Sequence, residues 1–432
     1  MKGARRMRVI ALLVVAWPGW SGEVYRLNLK GALERALEQA PEVLLGRLDE
    51  ANARQGVEVA RDPFAPKLVM GSGLAYTYGF PMSIEGSAPS VFQVKASQSL
   101  FNRPQSYLLA KAKVEARSAQ EAVGMKRDEV IERTVRLFLD AERAGRGLEL
   151  TAGQIGNLEA VLEGVKARVE EGRGIAIDLR RAEVNLKKAR QRRRLLEAEK
   201  GQIERQLAFV LGYGGEDRVE VIRAEGYEFQ LAAGLEAGVK EALERSRELK
   251  KLQTDLEAKT LEVSANQSAR TPQVDLVAQY ALFARFNNFD QYFSRFQTSN
   301  AQLGVSFKFP IVAGPASAAL AAQARNEVSR LRVRMVQTRN RIEVETRKLY
   351  EDLELHRENR ELAKLDLELA REQITVTLAQ MEEGRATRRQ LEEARFLEAE
   401  KWIGYWDAQY LYDKARLGVI AVTGGLANLA SK

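Results

Sequence analysis

The sequence has 432 residues but no cysteine, and it has a single histidine, His356. Without thiols there is no disulfide framework and no thiolate metal site. A glycine-rich phosphate loop following a predicted strand is also missing. We therefore expect a protein that is not an enzyme and that binds no cofactor and no metal.

Proline is scarce, with 10 residues, while charged residues make up 29% and hydrophobic residues 45% of the chain. Long tracts of Ala, Glu, Lys, Leu and Arg with so few prolines are typical of extended helices. The hydrophobic content is high enough for a packed interior. Helix is therefore the predicted dominant state, and the predicted fold class is α+β, mostly α.

The chain also lacks any run of the roughly 20 apolar residues that a membrane-spanning helix requires. Its apolar run at residues 9–17 is too short for that purpose. Four basic residues precede this run: Lys2, Arg5, Arg6 and Arg8. That order is typical of a secretory signal peptide, which we predict over residues 1–22, with a buried N-terminal helix as the alternative. Any contact with a membrane must then be made by strands.

The formal net charge of +8 falls to +4 when the four basic residues of the predicted signal peptide are removed. One basic run, at residues 187–200, alternates with leucine and glutamate in a helical pattern. A solvated helix face explains this run better than a phosphate-binding surface does. We therefore expect no nucleic-acid partner.

The stretch EEGRGIAIDLRRAE at residues 170–183 has a counterpart 212 positions later, EEGRATRRQLEEAR at residues 382–395. Leu179 falls on Leu391 at this offset, and further matches extend toward the N-terminus. Duplication of a whole supersecondary plan is rarely accidental. The sequence therefore predicts two structural repeats.

The predicted repeats cover residues 23–212 and residues 233–424. Residues 213–232 form a predicted linker between them, and residues 425–432 form a predicted C-terminal tail. Both repeats have the same predicted order: a helix of about 36 residues, two strands, a very long helix, a turn at EEGR and a returning helix of about 36 residues.

Four segments alternate large apolar residues with small or polar ones at the period of a strand. They lie near residues 68–80, 91–101, 274–286 and 298–309. A soluble sheet that is half-buried on a core would alternate in the same way. These segments run for about 11 to 13 residues, however, which is the length of a tilted membrane strand. We therefore predict membrane strands, two from each repeat.

Aromatic residues flank the predicted strands, as they do at the interfaces of outer-membrane barrels. Six of them are concentrated in FARFNNFDQYFSRF at residues 283–296. The predicted membrane-rim aromatics are Tyr76, Tyr78, Phe80, Phe92, Phe283, Phe286, Phe289, Tyr292, Phe293 and Phe296. Four strands cannot close a barrel in lipid, so copies of the chain must pool their strands, and three copies would supply twelve.

The longest predicted helices cover residues 104–171 and 313–383, roughly 100 Å each. Shorter helices that would pack against them are predicted at residues 27–62, 177–211, 233–269 and 387–423. An apolar series with 3-4 spacing from Thr134 to Val169 indicates a coiled-coil seam. At the EEGR turns, Gly172, Gly174 and Gly384 are expected to take the left-handed backbone conformation with which helices commonly end.

These features together resemble the TolC family of outer-membrane efflux proteins over nearly the whole mature chain. The resemblance is carried by the duplicated plan, by ASQSLFN at residues 96–102, by GVSFKFPIVAG at residues 304–314, and by the two tip motifs. Each motif alone is weakly specific, whereas their order, duplication and spacing together are strong. The resemblance implies an outer-membrane homotrimer in contact with lipid. In this implied homotrimer, each protomer contributes four strands to a twelve-stranded β-barrel. The barrel continues into a periplasmic α-helical coiled-coil barrel.

The resemblance also implies the function of an exit duct in a tripartite efflux or type I secretion system. A periplasmic adaptor (membrane fusion protein) and an inner-membrane pump would dock at the hairpin tips, and substrate would leave through the lumen. The linker at residues 213–232 would lie in the equatorial region of the duct. The docking candidates at the tips are Gly172, Arg173, Gly174, Leu179, Gly384, Arg385 and Leu391.

In that family, acidic side chains beyond the tip glycine line a periplasmic aperture. The matching positions here are Asp178, Gln390 and Glu393. Gln390 stands where family members often have aspartate, so one expected carboxylate ring would be neutral. Carboxylates crowded at a narrow axis repel one another, and a closed tip therefore needs other contacts. Adjacent candidates for such pairing are Arg385, Arg388 and Arg389. Periodicity alone would make all these residues solvated helix-tip positions.

Two other functions remain open from the residues alone. A soluble periplasmic coiled-coil adaptor or scaffold would carry helical hairpins, but four long alternating strands with aromatic flanks are not expected of it. A passive porin is disfavoured because helix so far exceeds strand. The aromatic group of the last helix is predicted to pack between helices rather than to contact substrate; it comprises Trp402, Tyr405, Trp406, Tyr410 and Tyr412.

Overall fold

The structure is a computed structural model of the chain and describes residues 22–74, 89–222, 234–285, 289–311 and 315–426. The predicted signal peptide, apart from Gly22, and the predicted tail beyond residue 426 lie outside the described residues. Both therefore stay predictions. Among the helices of the described ranges, none is both long and apolar enough to cross a membrane.

The two halves of the chain contain the same order of long elements. The first half consists of β1 (Val24–Leu27), α1 (Leu29–Gln39), α2 (Pro41–Arg61), β2 (Lys67–Gly73), β3 (Ser90–Asn102), α3 (Arg103–Glu170) and α4 (Ala176–Val210). The second half consists of β4 (Arg218–Val221), α5 (Leu235–Arg245), α6 (Arg247–Gln267), β5 (Gln273–Phe283), α7 (Phe289–Phe293), β6 (Ser299–Lys308), α8 (Pro315–Glu382) and α9 (Arg388–Val422). The helices α3 and α8 both have 68 residues, and α4 and α9 both have 35. The predicted duplication is confirmed.

Each leading helix that the sequence predicts as one element is broken in two. Between α1 and α2, Ala40 has a non-helical ψ of 127° ahead of Pro41. Proline has no N–H and its ring clashes with the preceding turn, so a helix begins at this residue rather than continuing through it. Between α5 and α6, Ser246 caps the second helix, because its hydroxyl accepts a hydrogen bond from the Leu249 N–H at 3.2 Å. Serine is a preferred residue at this position.

The segment predicted to be a linker, residues 213–232, contains β4, which pairs in parallel with β1. This two-stranded sheet was not predicted from the sequence. Tyr25 stacks on Tyr213 with ring centroids 4.0 Å apart, and the Glu23 N–H donates to Asp217 Oδ1 at 3.0 Å. The start of the first half is thereby joined to the segment that connects the halves.

The four long strands form one antiparallel sheet in the order β2-β3-β5-β6. The strands of the two halves meet at its centre, where Lys95 lies opposite Gln279. Within the described residues, β2 and β6 are the edges of this sheet. The predicted strand near residues 68–80 is described only as far as residue 74, and the remainder lies outside the described residues.

The chain divides into two compact units. Of the described residues, the first unit comprises 22–39, 133–222 and 360–410. The second comprises 40–74, 89–132, 234–285, 289–311, 315–359 and 411–426. The first unit contains both EEGR turns and the β1-β4 pair, and the second contains the four-stranded sheet.

In the first unit, α3 and α4 pack together along the predicted seam. Ile155 and Leu158 of α3 form a buried cluster with Leu186 and Ala189 of α4. The series from Thr134 to Val169 is therefore the packed face of α3, as its 3-4 spacing predicts.

In the second unit, apolar packing is supplemented by ion pairs between helices. Leu353 of α8 and Ala415 of α9 belong to one buried cluster. Glu262 of α6 pairs with Lys111 of α3 at 2.7 Å and with Lys259 at 2.9 Å. Burial alone would raise the pKa of Glu262, but hydrogen bonds from the two lysines outweigh it and hold the pKa below its ordinary value of 4.5.

Candidate functional site

Both hairpin turns begin with the same helix-ending motif, centred on a glycine. Gly172 has φ +73° after α3, and Gly384 has φ +72° after α8. The next N–H in the first turn, that of Arg173, donates to the Arg168 carbonyl at 2.8 Å, and the equivalent bond closes the second turn at 2.8 Å. This is the pattern of the Schellman motif. The expected left-handed conformation of these two glycines is confirmed.

Gly174 does not take a left-handed conformation, contrary to the prediction. The turn needs glycine there for space, because a Cβ would lie 2.9 Å from Val169 Cγ2 and 3.0 Å from the Val169 nitrogen. The second turn has Ala386 at the matching position, and its N–H donates to the Gln380 carbonyl at 3.1 Å. The two turns thus share their first glycine but not their second.

The start of α9 is closed by a capping box that includes Gln390, a predicted aperture residue. Gln390 Oε1 accepts hydrogen bonds from the Thr387 backbone N–H at 2.7 Å and from its hydroxyl at 2.9 Å. Thr387 Oγ1 in turn accepts from the Gln390 N–H at 3.4 Å. Threonine and glutamine three residues apart satisfy each other's backbone N–H groups in this way. The T-x-x-Q pattern at residues 387–390 is a local signal for this box, and the box was not predicted. Its hydrogen bonds occupy the side-chain oxygen of Gln390.

The start of α4 has no such box, because its N-cap is Ile175, which makes no side-chain capping bond. Asp178 stands at the third helical position, which matches Gln390 in the second tip. A negative charge in the first turn of a helix is stabilised by the helix dipole. The Asp178 carboxylate also lies 3.5 Å from the guanidinium of Arg181. The matching positions in the two tips therefore differ in charge and in hydrogen bonding.

Charged residues of the two tips lie close enough to influence one another. Glu393 pairs with Arg389 at 2.9 Å, and both side chains are well exposed. The pKa of Arg389 is raised, mainly by its hydrogen bond to Glu393 and to a smaller extent by the negative charges of Glu393 and Asp178. Of the two predicted acidic aperture residues, Glu393 is thus paired with Arg389, whereas Asp178 acts on it only through its charge. Arg388, the remaining aperture candidate, is exposed.

The predicted docking residues differ in exposure. Gly172, Arg173, Gly384 and Arg385 are exposed, and Gly174 and Leu179 are half-buried. Leu391, in contrast, is only 4% exposed. Its side chain is therefore buried in the single chain and offers little contact area to a partner. Docking at the exposed positions stays a prediction.

The four-stranded sheet has an apolar face and a polar face. Met70 lies opposite Val94, Val94 opposite Tyr280, and Tyr280 opposite Ala301. Residues opposite one another share a face of the sheet, and every second residue along a strand returns to it. The apolar face is made by Leu68, Met70, Phe92, Val94, Ala96, Leu276, Ala278, Tyr280, Leu282, Ala301, Leu303, Val305 and Phe307.

In the single chain the apolar face is largely uncovered. Leu303 is 78% exposed, Leu68 73% and Met70 71%. Leaving apolar surface in water costs about 25 cal/mol per Å². Such a face on long strands is the kind that lipid covers. The opposite face borders a concavity of 730 Å³ and is polar, with Lys67, Lys95, Ser97, Ser99, Asp275, Gln279, Gln302, Ser306 and Lys308.

Several predicted rim aromatics form a cluster next to β5. Phe293 contacts Phe289 with ring centroids 4.5 Å apart and Phe283 with centroids 5.8 Å apart. The guanidinium of Arg285 lies 5.6 Å from the Phe289 ring centroid. The short helix α7, which the sequence did not predict, places two of these rings on neighbouring turns. Four rim candidates and one side chain lie outside the described residues: Tyr76, Tyr78, Phe80 and Phe286, and the side chain of Tyr292.

The aromatic group of α9 is joined to neighbouring helices by arginines. Arg146 of α3 lies 3.7 Å from the ring centroid of Trp406, and Arg371 of α8 lies 4.6 Å from that of Trp402. Tyr410 donates a hydrogen bond to Asp140 of α3. Guanidinium groups stack favourably on aromatic faces. These contacts agree with the prediction that the group packs between helices.

Solved structures resemble this fold over nearly the whole chain. The structure of CusC aligns with a TM-score of 0.74 at 13% identity and covers 95% of both chains. VceC of Vibrio cholerae aligns with a TM-score of 0.73 at 13% identity, over 92% of this chain and 96% of that one. The outer membrane channel CmeC of Campylobacter jejuni aligns with a TM-score of 0.74 at 13% identity, over 92% of this chain and 86% of that one. At such low identity these likenesses show a shared fold.

A sequence profile gives the family. The profile described as outer membrane efflux protein matches residues 32–213 and again residues 238–425. No curated protein matches the chain by sequence. The family and the similar structures are channels rather than enzymes, and nothing in them supports a soluble adaptor. Because the profile covers most of the chain in two successive matches, the protein belongs to the outer membrane efflux protein family and is an exit channel of the outer membrane.

Proposed function

We propose that three copies of the chain form the channel and that their sheets join into one closed barrel of twelve strands. The observation that carries this proposal is the sheet with one apolar and one polar face. Its edge strands, β2 and β6, have no partner strand among the described residues. An open edge in lipid leaves backbone N–H and C=O groups without partners, which is strongly unfavourable. Joining β6 of one copy to β2 of the next satisfies both edges.

The exposed surface of α8 supports the same assembly. Four large apolar residues recur at intervals of seven: Leu355, Leu362, Leu369 and Val376, which are 53%, 60%, 64% and 48% exposed in the single chain. A seven-residue apolar repeat is typical of a helix that packs against a partner helix. We propose that helices of a neighbouring copy cover this stripe, so that the helices form a second ring.

We further propose that the hairpin tips are the periplasmic end of the duct, where an adaptor and an inner-membrane pump dock. The exposed tip residues Arg173 and Arg385 are the proposed contacts. The carboxylates of Asp178 and Glu393 with the cation of Arg388 line the proposed aperture. Exposed ion pairs such as Arg389–Glu393 are individually weak, so a docked partner can separate them. Gln390 contributes to this aperture mainly by fixing the start of α9 through its capping box.

Single cysteines test whether the sheet has a lipid side and a water side. Because the chain has no cysteine, an introduced thiol is the only one to react. Leu303 and Gln302 are neighbours on β6, are both exposed in the single chain and point to opposite faces. In outer membranes from cells that make the full chain, we expect Gln302→Cys to react with a charged, water-soluble maleimide. Leu303→Cys is expected to react only with a lipid-soluble one.

The pair Val305→Cys and Ser306→Cys, on the same strand, provides a matched repeat of this comparison. A soluble sheet would present both faces to water. Equal labelling of both members of each pair by the charged reagent would therefore contradict the proposal, even if the protein were found in the membrane fraction.

A photo-crosslinker attached to Arg385→Cys tests docking at the tips. We expect it to join the chain to a periplasmic protein that fractionates with the inner membrane. Leu391→Cys is the matched control, because its position is buried. Equal cross-linking from both positions, or none from Arg385→Cys in working efflux cells, would contradict docking at this surface.

A further inference from the structure

The polar face of the sheet is unevenly charged. Its described strand residues include three lysines and one aspartate: Lys67, Lys95, Lys308 and Asp275. Lys308 lies 3.4 Å from Asp275, and Lys67 lies 2.5 Å from Asp62, which precedes β2. The positive charges of two of the three lysines are thus each balanced by the negative charge of a paired carboxylate. Lys95 makes no ion pair with a described residue and is exposed.

Lys95 stands in a row across the sheet that holds no carboxylate. In this row Val69 lies opposite Lys95, Lys95 opposite Gln279, and Gln279 opposite Gln302. Asp275 is four residues away from Gln279 along β5, or about 13 Å at the usual rise of a strand. Salt at 0.1 M screens charges beyond about 10 Å. The Lys95 ammonium is therefore the dominant fixed charge at its level.

We propose that Lys95 makes this part of the exit duct selective for anions. The inference rests on the proposed function, because it needs three copies of the chain around one aqueous lumen. Three copies place three Lys95 ammonium groups in a ring, with glutamine amides between them. Rings of Lys or Arg select anions in pores, as rings of Asp or Glu select cations. The cargo class that fits this ring is organic molecules that carry negative charge.

The neutral side chains of the row support this assignment. Gln279 and Gln302 each offer an amide N–H₂ donor as well as a carbonyl acceptor. Donors beside a cation add hydrogen bonds to a passing anion without adding charge that would hold it in place. Conduction requires sites that attract an ion but release it. A single lysine ring with neutral neighbours meets both conditions.

Ion selectivity of the reconstituted full-length protein tests the proposal. In planar bilayers with a potassium chloride gradient near 0.1 M, we expect the reversal potential to show preference for chloride over potassium. Lys95→Glu should shift the permeability ratio toward potassium by at least about threefold, the order expected for a few charges about 10 Å away once salt screens them. The matched control is the double variant Lys308→Gln with Asp275→Asn, which removes a pair of opposite charges and should leave the ratio unchanged.

The rate of thiol labelling gives a second measurement that does not depend on the state of the tips. With Gln302→Cys as the only thiol, an anionic methanethiosulfonate reagent applied from outside should react faster, relative to a cationic one, than it does with a free thiol. Changing Lys95 to Glu in this background should lower the ratio of the two rates by at least about threefold.

The outcomes separate the inference from the function on which it rests. A conducting trimer that prefers potassium, or whose selectivity and labelling ratio do not change in Lys95→Glu, overturns the anion proposal and leaves the duct intact. A particle that neither conducts nor labels at Gln302→Cys overturns both. Anion preference that is lost in Lys95→Glu and kept in the double variant supports both.

Discussion

Replacing Gly172 by alanine isolates the contribution of the backbone to a hairpin tip. Gly172 has φ +73°, and a Cβ built on it meets no atom within 4 Å. The substitution therefore causes no clash and removes no contact, and only the left-handed conformation is at stake. The same holds for Gly384, with φ +72° and no atom within 4 Å of a Cβ.

The expected magnitude follows from this geometry. Holding an L-residue in the left-handed helical region costs roughly 1–2 kcal/mol. A loss of about 1 kcal/mol makes local opening of the tip about fivefold more frequent. Because the two turns share this motif, Gly384→Ala should have an effect of the same size.

Gly164→Ala is the matched control eight residues earlier in α3. A Cβ at Gly164 also meets no atom within 4 Å, but the residue lies within the helix. Alanine in a helix interior is more favourable than glycine by about 1 kcal/mol. The control should therefore slow local opening, whereas Gly172→Ala should accelerate it.

Hydrogen exchange of peptides from residues 165–180, measured by mass spectrometry on the detergent-extracted protein, detects both changes. Faster exchange in Gly172→Ala and slower exchange in Gly164→Ala are expected. If Gly172→Ala exchanged as slowly as the unchanged protein while Gly164→Ala gained protection, the left-handed glycine would not limit the stability of the tip. The explanation of the EEGR turns would then be refuted.

Three further predictions follow from named contacts. Thr387→Ala removes one half of the capping box and should destabilise the start of α9 by about 1 kcal/mol, which is measured as faster hydrogen exchange in its first turn. The control Ile175→Ala, at the uncapped start of α4, should change the exchange little. Phe138→Ala empties a site that is 0% exposed and should cost about 3–5 kcal/mol in thermal unfolding, with Phe138→Leu costing much less. Glu262→Gln should destabilise the protein at pH 7. Because the folded pKa of Glu262 is depressed, its contribution is present above the ordinary pKa of 4.5 and is lost as the pH falls, so unchanged and variant proteins should converge in acid. A difference in stability that stays constant down to strongly acidic pH would contradict the role assigned to the Lys111 pair.

Much of the fold follows from local signals in the sequence. The glycine after each long helix and the offset of 212 predict where α3 and α8 reverse. Alternation of large and small side chains predicts the strands, because a half-covered sheet requires it. Both signals depend only on residues that are neighbours along the chain.

The features that the sequence did not predict depend on distant partners or on space. The strands β1 and β4 have four residues each and pair across 194 positions, so neither carries a strong pattern of its own. Gly174 serves close packing on Val169, which the sequence does not reveal. The break at Pro41 and the capping pair Thr387 and Gln390, in contrast, do have local signals in the sequence: a proline at a helix start and a T-x-x-Q pattern.

The candidate site was predictable in part for the same reason. The positions of the tips follow from the repeat. The charge environment of Arg389, however, depends on Asp178 in the other tip, which is 211 residues away in sequence and close in space. That Lys95 has no carboxylate partner among the described residues likewise depends on the register of three strands. Local patterns in the sequence place residues on one face of a strand or helix. Pairing between segments that are distant in sequence decides which charged side chains are left without an ion-pair partner.

The number of chains in the particle extracted from the outer membrane tests the central claim most directly. Membranes from cells that make the full chain are fractionated, and the detergent-extracted particle is weighed against the chain mass of 48.4 kDa before any signal peptide is removed. The account predicts a particle of three chains in the outer-membrane fraction. A monomer that is released with the soluble periplasmic proteins would contradict it, and the apolar face of the sheet would then need a different cover.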